Sequence, residues 1–177
     1  IAMVGRALGA EGLGTISLIV LGISIILLMA HVVGGGGLVY LVPRHGVASL
    51  VLPSYGWAVV TALVALIVVG PVHMAPEGFA MHGVALAFLQ ALNSIHLSIL
   101  VAKERIGTQN TLLVLQSLVQ VAGFAVLLHS GGATLMDYVG ATYLAYGLTV
   151  LISGGMVMRL VKESTHYTVG GSLRALI

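Results

Sequence analysis

Residues 79–102 read FAMHGVALAFLQALNSIHLSILVA and stop at the charged triplet Lys103-Glu104-Arg105. The stretch is 24 residues long and contains no Asp, Glu, Lys or Arg. As a helix it rises about 36 Å at about 1.5 Å per residue, enough to cross a hydrocarbon core of about 30 Å with some tilt. The triplet then marks where the chain leaves the bilayer. Gln90, Asn93 and His96 interrupt the apolar run, and at about 100° per residue they lie within roughly 120° of one another, with His82 inside the same arc. Lipid offers an amide no hydrogen-bonding partner. That face is therefore expected to point at other helices or at a water-filled cavity.

The whole chain has the same character. It is 59% hydrophobic and 7% charged, with a mean hydropathy of +1.13, whereas soluble domains carry about 25% charged residues. This composition excludes most soluble classes and predicts an all-α, polytopic transmembrane helix bundle. Cysteine is absent, which removes disulfides, thiolate nucleophiles and cysteine metal sites. The net charge of +2 is small, so the placement of charge carries more information than its sum.

Outward from the central stretch, five spans are expected, at about 15–42, 50–69, 79–102, 111–128 and 135–160. Residues 1–14 are Gly-rich, contain Arg6 and Glu11, lack signal-peptide architecture and read as a loop. Gly34-Gly35-Gly36-Gly37 interrupts the first span as a hinge or broken helix. It is not a phosphate-binding loop, because no strand precedes it and no Lys-Ser or Lys-Thr follows. Pro43 to Gly46 forms a short basic turn. The second span has Pro53 in its first turn, Tyr55 and Trp57 as interfacial anchors, and Gly70-Pro71 at its close. A loop with His73, Pro76 and Glu77 follows. The run His129-Ser130-Gly131-Gly132 signals a turn, and Glu163 to Ser172 a polar tail leading into the start of another element.

Alternate loops fall on alternate sides of a membrane. One set holds Arg44, Lys103, Arg105, Arg159, Lys162 and Arg174, and the other holds Arg6 with Glu11, Glu77 and Asp137. By the positive-inside rule the first set is cytoplasmic, including the C-terminal end, and residues 1–14 are external. A chain that begins outside without a signal sequence is expected to be a fragment lacking a preceding span.

Polar stripes recur in other spans. Ser17, Ser24 and His31 repeat every seven residues; Gln109, Gln116 and Gln120 share a narrow arc; Tyr138, Thr142, Tyr146, Thr149 and Ser153 fall within about 80°. Two readings compete: interhelical hydrogen bonding, worth on the order of 0.6 kcal/mol per pair, and a polar transport lumen. The lumen reading is preferred because four of the five spans share the pattern, and its expected lining is His31, Gln90, Asn93, His96, Gln116, Gln120, Thr142 and Tyr146. No Asp, Glu, Lys or Arg lies in the middle of any span, so no intramembrane carboxylate relay is expected. His31, His82 and His96 make no close pair on one helix, so no metal site or other cofactor is expected. No nucleophile–base arrangement or carboxylate pair points to catalysis. Amides, hydroxyls and tyrosines suit a hydroxyl-rich ligand such as a glycan, and no nucleic-acid partner is expected.

Three motifs carry a family resemblance. Arg6-Ala7-Leu8-Gly9-Ala10-Glu11-Gly12-Leu13-Gly14 resembles the loop between the first two helices of oligosaccharide flippases in the multidrug/oligosaccharidyl-lipid/polysaccharide exporter superfamily. Gly37 to Arg44 is similar to the cytoplasmic end of their second helix, and Lys103-Glu104-Arg105-Ile106-Gly107 with Asn110 to the loop joining their fourth and fifth. The resemblance spans essentially the whole chain. It implies the second to sixth helices of a two-lobe bundle in a bacterial inner membrane, moving lipid-linked sugars outward by alternating access. Arg6, Gly9, Glu11, Gly12 and Gly14 would shape an external turn, and Arg44, Lys103 and Arg105 would lie in cytoplasmic gate loops. A second lobe of the same chain is the implied partner. A cation-coupled exporter of the same superfamily is disfavoured by the missing intramembrane acids, and a non-transporting membrane subunit is the alternative from another class.

Overall fold

The computed structural model describes residues 2–72, 78–131 and 134–174, with side chains from 5, 8–32, 35–68, 78–129 and 134–163. His73, Pro76 and Glu77 of the expected loop, the Gly132 end of the expected turn, and the side chains of Arg6 and Arg174 lie outside the described residues. Six helices follow in order: α1 (Ala2–Gly34), α2 (Gly36–His45), α3 (Val47–Val72), α4 (Ala80–Ala102), α5 (Ile106–Gly131) and α6 (Leu135–Arg174). They make five spans long and apolar enough to cross a membrane, α1 and α2 sharing one of them from Leu8 to His45. The chain is an all-helical membrane bundle.

Element boundaries differ from the hydropathy reading because backbone hydrogen bonding carries a helix past its apolar residues. Residues 2–14 of the expected loop are not a loop: α1 runs through them, broken at Gly9 (φ 70°, ψ −173°). That backbone region is essentially closed to side chains bearing a Cβ. The break folds Leu8 over Gly12, where a Cβ would sit 2.5 Å from Leu8 Cβ. Arg44 and His45 belong to the last turn of α2, so the expected basic turn shrinks to Gly46. Pro53 lies in the second turn of α3, not the first, and α3 continues past Gly70-Pro71 to Val72. His129 and Ser130 are helical in α5, and α6 extends through the polar tail to Arg174. The hinge expected among Gly34–Gly37 is present, with the break at Gly35.

Two ends are fixed by local chemistry. At the start of α6, Asp137 Oδ2 accepts from the Thr134 backbone N–H (2.9 Å), and Thr134 Oγ1 accepts from the Asp137 N–H (3.2 Å). This reciprocal box satisfies donors that the first helical turn leaves unpaired. After α4, the Glu104 N–H donates to Val101 O (2.8 Å) and the Arg105 N–H to Leu100 O (2.9 Å). Glu104 takes φ 59° there, in a Schellman closure that usually employs glycine.

α4 is the centre of the bundle. More than half of its span is buried, against fewer than a third of every other span, and α1, α2, α3 and α6 all pack on it. Leu97, Ile99 and Leu100 anchor one apolar cluster with Val42, Val47, Leu112 and Leu160; Val84 and Leu86 anchor a second with Ile19, Ala65 and Val139. Lipid is as apolar as leucine, so close packing rather than escape from water holds such helices together. The outward faces carry Leu28, Val32, Leu52, Ile67 and Leu151, each more than two thirds exposed, as a lipid-facing surface requires.

Candidate functional site

The polar arc of α4 does not face one way. Gln90 and Ser94, one turn apart, reach opposite neighbours: Gln90 Oε1 accepts from Gln116 Nε2 of α5 (3.3 Å), and Ser94 Oγ pairs with His31 Nε2 of α1 (2.9 Å). Residues four apart share a face of a helix. This face of α4 is therefore the floor of a cleft between α1 and α5, two helices that both pack on α4 without packing substantially on each other. Gln90 and Ser94 are half-buried and His31 is exposed. Polar groups thus line an open cleft at bilayer depth.

Asn93 and His96 lie deeper and elsewhere. Asn93 is fully buried and donates from Nδ2 to Gln116 Oε1 (2.7 Å); its Oδ1 is the one buried side-chain polar atom among the described residues without a partner. His96 points toward α3 and α6, with Nε2 2.5 Å from Tyr55 Oη and Nδ1 2.7 Å from Ser153 Oγ. Ser153 Oγ also reaches Val150 O (3.3 Å). A carbonyl only accepts, so the assignment that employs every proton is Ser153 donating to Val150, His96 Nδ1–H donating to Ser153, and Tyr55 donating to His96 Nε2.

The expected lumen lining therefore divides. His31 and Gln90 stand at the α1/α4/α5 cleft. Asn93, His96 and Gln116 are buried and bonded between helices. Gln120 is half-buried, with Nε2 donating to Thr142 Oγ1 (3.1 Å) and lying 3.4 Å from Tyr138 Oη. Thr142 is buried and donates back to Tyr138 O (2.8 Å). Tyr146 packs against the apolar cluster of Ile19, Val84 and Val139. The expected lining is thus distributed over several separate helix contacts. Ser17 and Ser24 are exposed but satisfied by their own helix, through Leu13 O and Val20 O (both 2.8 Å), and give no reason for water.

Two residues carry roles that sequence reading missed. Tyr55, read as an interfacial anchor, is a core hydrogen-bond donor to His96. Trp57, read likewise, donates from Nε1 to Met29 O (3.1 Å), tying α3 to the C-terminal part of α1. Hydropathy could not separate these uses.

Among the motif residues, Glu11 is exposed and Gly12 buried, beside the Gly9 break. Gly14 lies within α1, where a Cβ would meet nothing within 4 Å. Arg44, Lys103 and Arg105 are exposed at one end of the bundle, with the Arg44 guanidinium 3.6 Å above the Tyr40 ring. Among the described residues no group of three His, Cys, Asp or Glu could hold a metal ion. Fold and cleft together define a polytopic helical membrane protein with an amide- and hydroxyl-lined groove in its bilayer-depth region. Compared with family models, curated proteins and solved structures, the chain matches none.

Proposed function

We propose that the chain is part of a membrane transporter lobe that moves a lipid-linked oligosaccharide or polysaccharide precursor from the cytoplasmic to the outer leaflet by alternating access. The three motifs that resemble oligosaccharide flippases support the reading, as does the asymmetry of basic residues. The observation that carries it is the α1/α4/α5 cleft, where exposed His31 and half-buried Ser94 and Gln90, each bonded to a neighbouring helix, gather polar side chains at a depth where lipid offers no partner. A second lobe would face this cleft and close the pathway. Hydroxyls and amides then bind sugar hydroxyls by hydrogen bonding, with no charge needed.

The chain has no cysteine, so single cysteines report accessibility without background. Ser94→Cys and Gln90→Cys are expected to react with a membrane-impermeant thiol reagent, while Ile67→Cys, on the lipid face, stays inert. Equal inertness at all three positions would remove the pathway. Cells lacking the protein are expected to accumulate lipid-linked glycan on the cytoplasmic side, and an unchanged pool rejects the substrate class. A second reading, a non-transporting membrane subunit, is favoured by the burial and pairing of Asn93, His96 and Gln116. The inert outcome selects it.

A further inference from the structure

On the far side of α4 from the Gln90–Ser94 face lies another cleft, of about 440 Å³, lined by Tyr55 and Val59 of α3, Phe88, Leu92 and His96 of α4, and Val150, Leu151, Gly154 and Gly155 of α6. Its volume falls in the range of about 300–1,000 Å³ common to small-molecule sites. Val59, Leu92 and Val150 stand near the middle of their spans, so the cleft meets the hydrocarbon interior. Two glycines form part of its α6 wall: a Cβ at Gly154 would come within 3.3 Å of His96 Cε1, whereas one at Gly155 would meet nothing within 4 Å.

The chemistry of this cleft is narrow. Its lining is apolar except for His96 and Tyr55, and both nitrogens of His96 are engaged with protein hydroxyls. Tyr55 donates its proton to His96, which leaves the Tyr55 oxygen, the one hydroxyl among the lining residues, with lone pairs free to accept. No charge stands among the lining residues. An occupant is thus hydrocarbon over most of its surface and offers one hydrogen-bond donor.

We propose that the α3/α4/α6 cleft is a binding site for a membrane-dissolved long-chain alcohol, its hydrocarbon body between Phe88, Leu92 and Leu151 and its hydroxyl donating to Tyr55. The site is independent of the transport reading, since it lies on the opposite face of α4. The test uses the full chain in liposomes with a diazirine-bearing long-chain alcohol and its O-methyl ether, which has the same body and no donor. Photolabelling near Val59, Leu151 and Gly155 is expected to be about three- to tenfold stronger for the alcohol, the worth of one hydrogen bond. Tyr55→Phe should reduce the alcohol to the level of the ether, and Gly155→Phe, which fills open space, should abolish both. Equal labelling by alcohol and ether assigns the cleft to lipid acyl chains and overturns the proposal, as does labelling no stronger than at lipid-facing Ile67 or unchanged by Gly155→Phe. If Tyr55→Phe does not fold, the alcohol-to-ether ratio and Gly155→Phe still decide.

Discussion

At the scale of single residues, buried polar pairs and close glycines make the sharpest claims. The side chain of fully buried Asn93 donates to Gln116, its one side-chain partner among the described residues. Gln116→Leu orphans that amide and is expected to destabilise the protein by about 1–3 kcal/mol. Adding Asn93→Leu removes the orphan, so the double variant should melt above Gln116→Leu alone in mild detergent. Simple additivity of the two losses would mean that the amides are not coupled. Gly154 and Gly155 form a second contrast. Alanine at 154 pushes on the His96 ring from 3.3 Å and should cost about 1–2 kcal/mol. Alanine at 155 meets open space and should be neutral or gain up to about 1 kcal/mol of helix propensity. Equal melting temperatures for the two variants would place His96 elsewhere. Helical periodicity gave the polar positions of α4, but a wheel cannot say which neighbour each one meets. Asn93 and His96 are only three residues apart, yet one meets α5 and the other α3 and α6.

At the scale of elements, the five spans were legible because a long uncharged apolar run has few alternatives in water. Their ends were not, since capping is settled by one or two side chains and by backbone bonds that hydropathy ignores. Residues 1–14 read as a loop from glycine content, yet among residues 2–14 only Gly9 leaves helical geometry. The α4–α5 turn offers a direct test, because Glu104 sits at φ 59° where most closures of this kind have glycine. Glu104→Gly is expected to preserve or raise stability, by up to about 1 kcal/mol. Glu104→Val places a β-branched residue in the left-handed region and should lose about 1–2 kcal/mol. Comparable unfolding midpoints for the glycine and valine variants would rule out this backbone conformation. A substitution such as Leu63→Val, exposed in the middle of α3 and far from any turn, supplies the baseline.

At the scale of the whole molecule, charge placement and packing make one joint statement. Val42, Leu100 and Leu160 share an apolar cluster, which gathers the ends of α2 and α4 and the end of the apolar span of α6, and sets exposed Arg44, Lys103, Arg105, Arg159 and Lys162 around one end of the bundle. Glu11 and Asp137 belong to helix beginnings whose chains run toward that end. Basic residues resist translocation, and the membrane potential adds about 2.3 kcal/mol per charge per 100 mV. Five basic residues on one end therefore outweigh local preferences and predict that end to be cytoplasmic. Cysteine introduced at Lys103 or Lys162 should react with an impermeant reagent only in inside-out vesicles, and cysteine at Asp137 only in right-side-out vesicles. Labelling of Lys103→Cys and Asp137→Cys from the same side would break the span count itself, because α5 lies between them. Consistent labelling in the reverse sense would keep the five spans and invert the membrane orientation, which would also reverse the direction of transport proposed for the cleft.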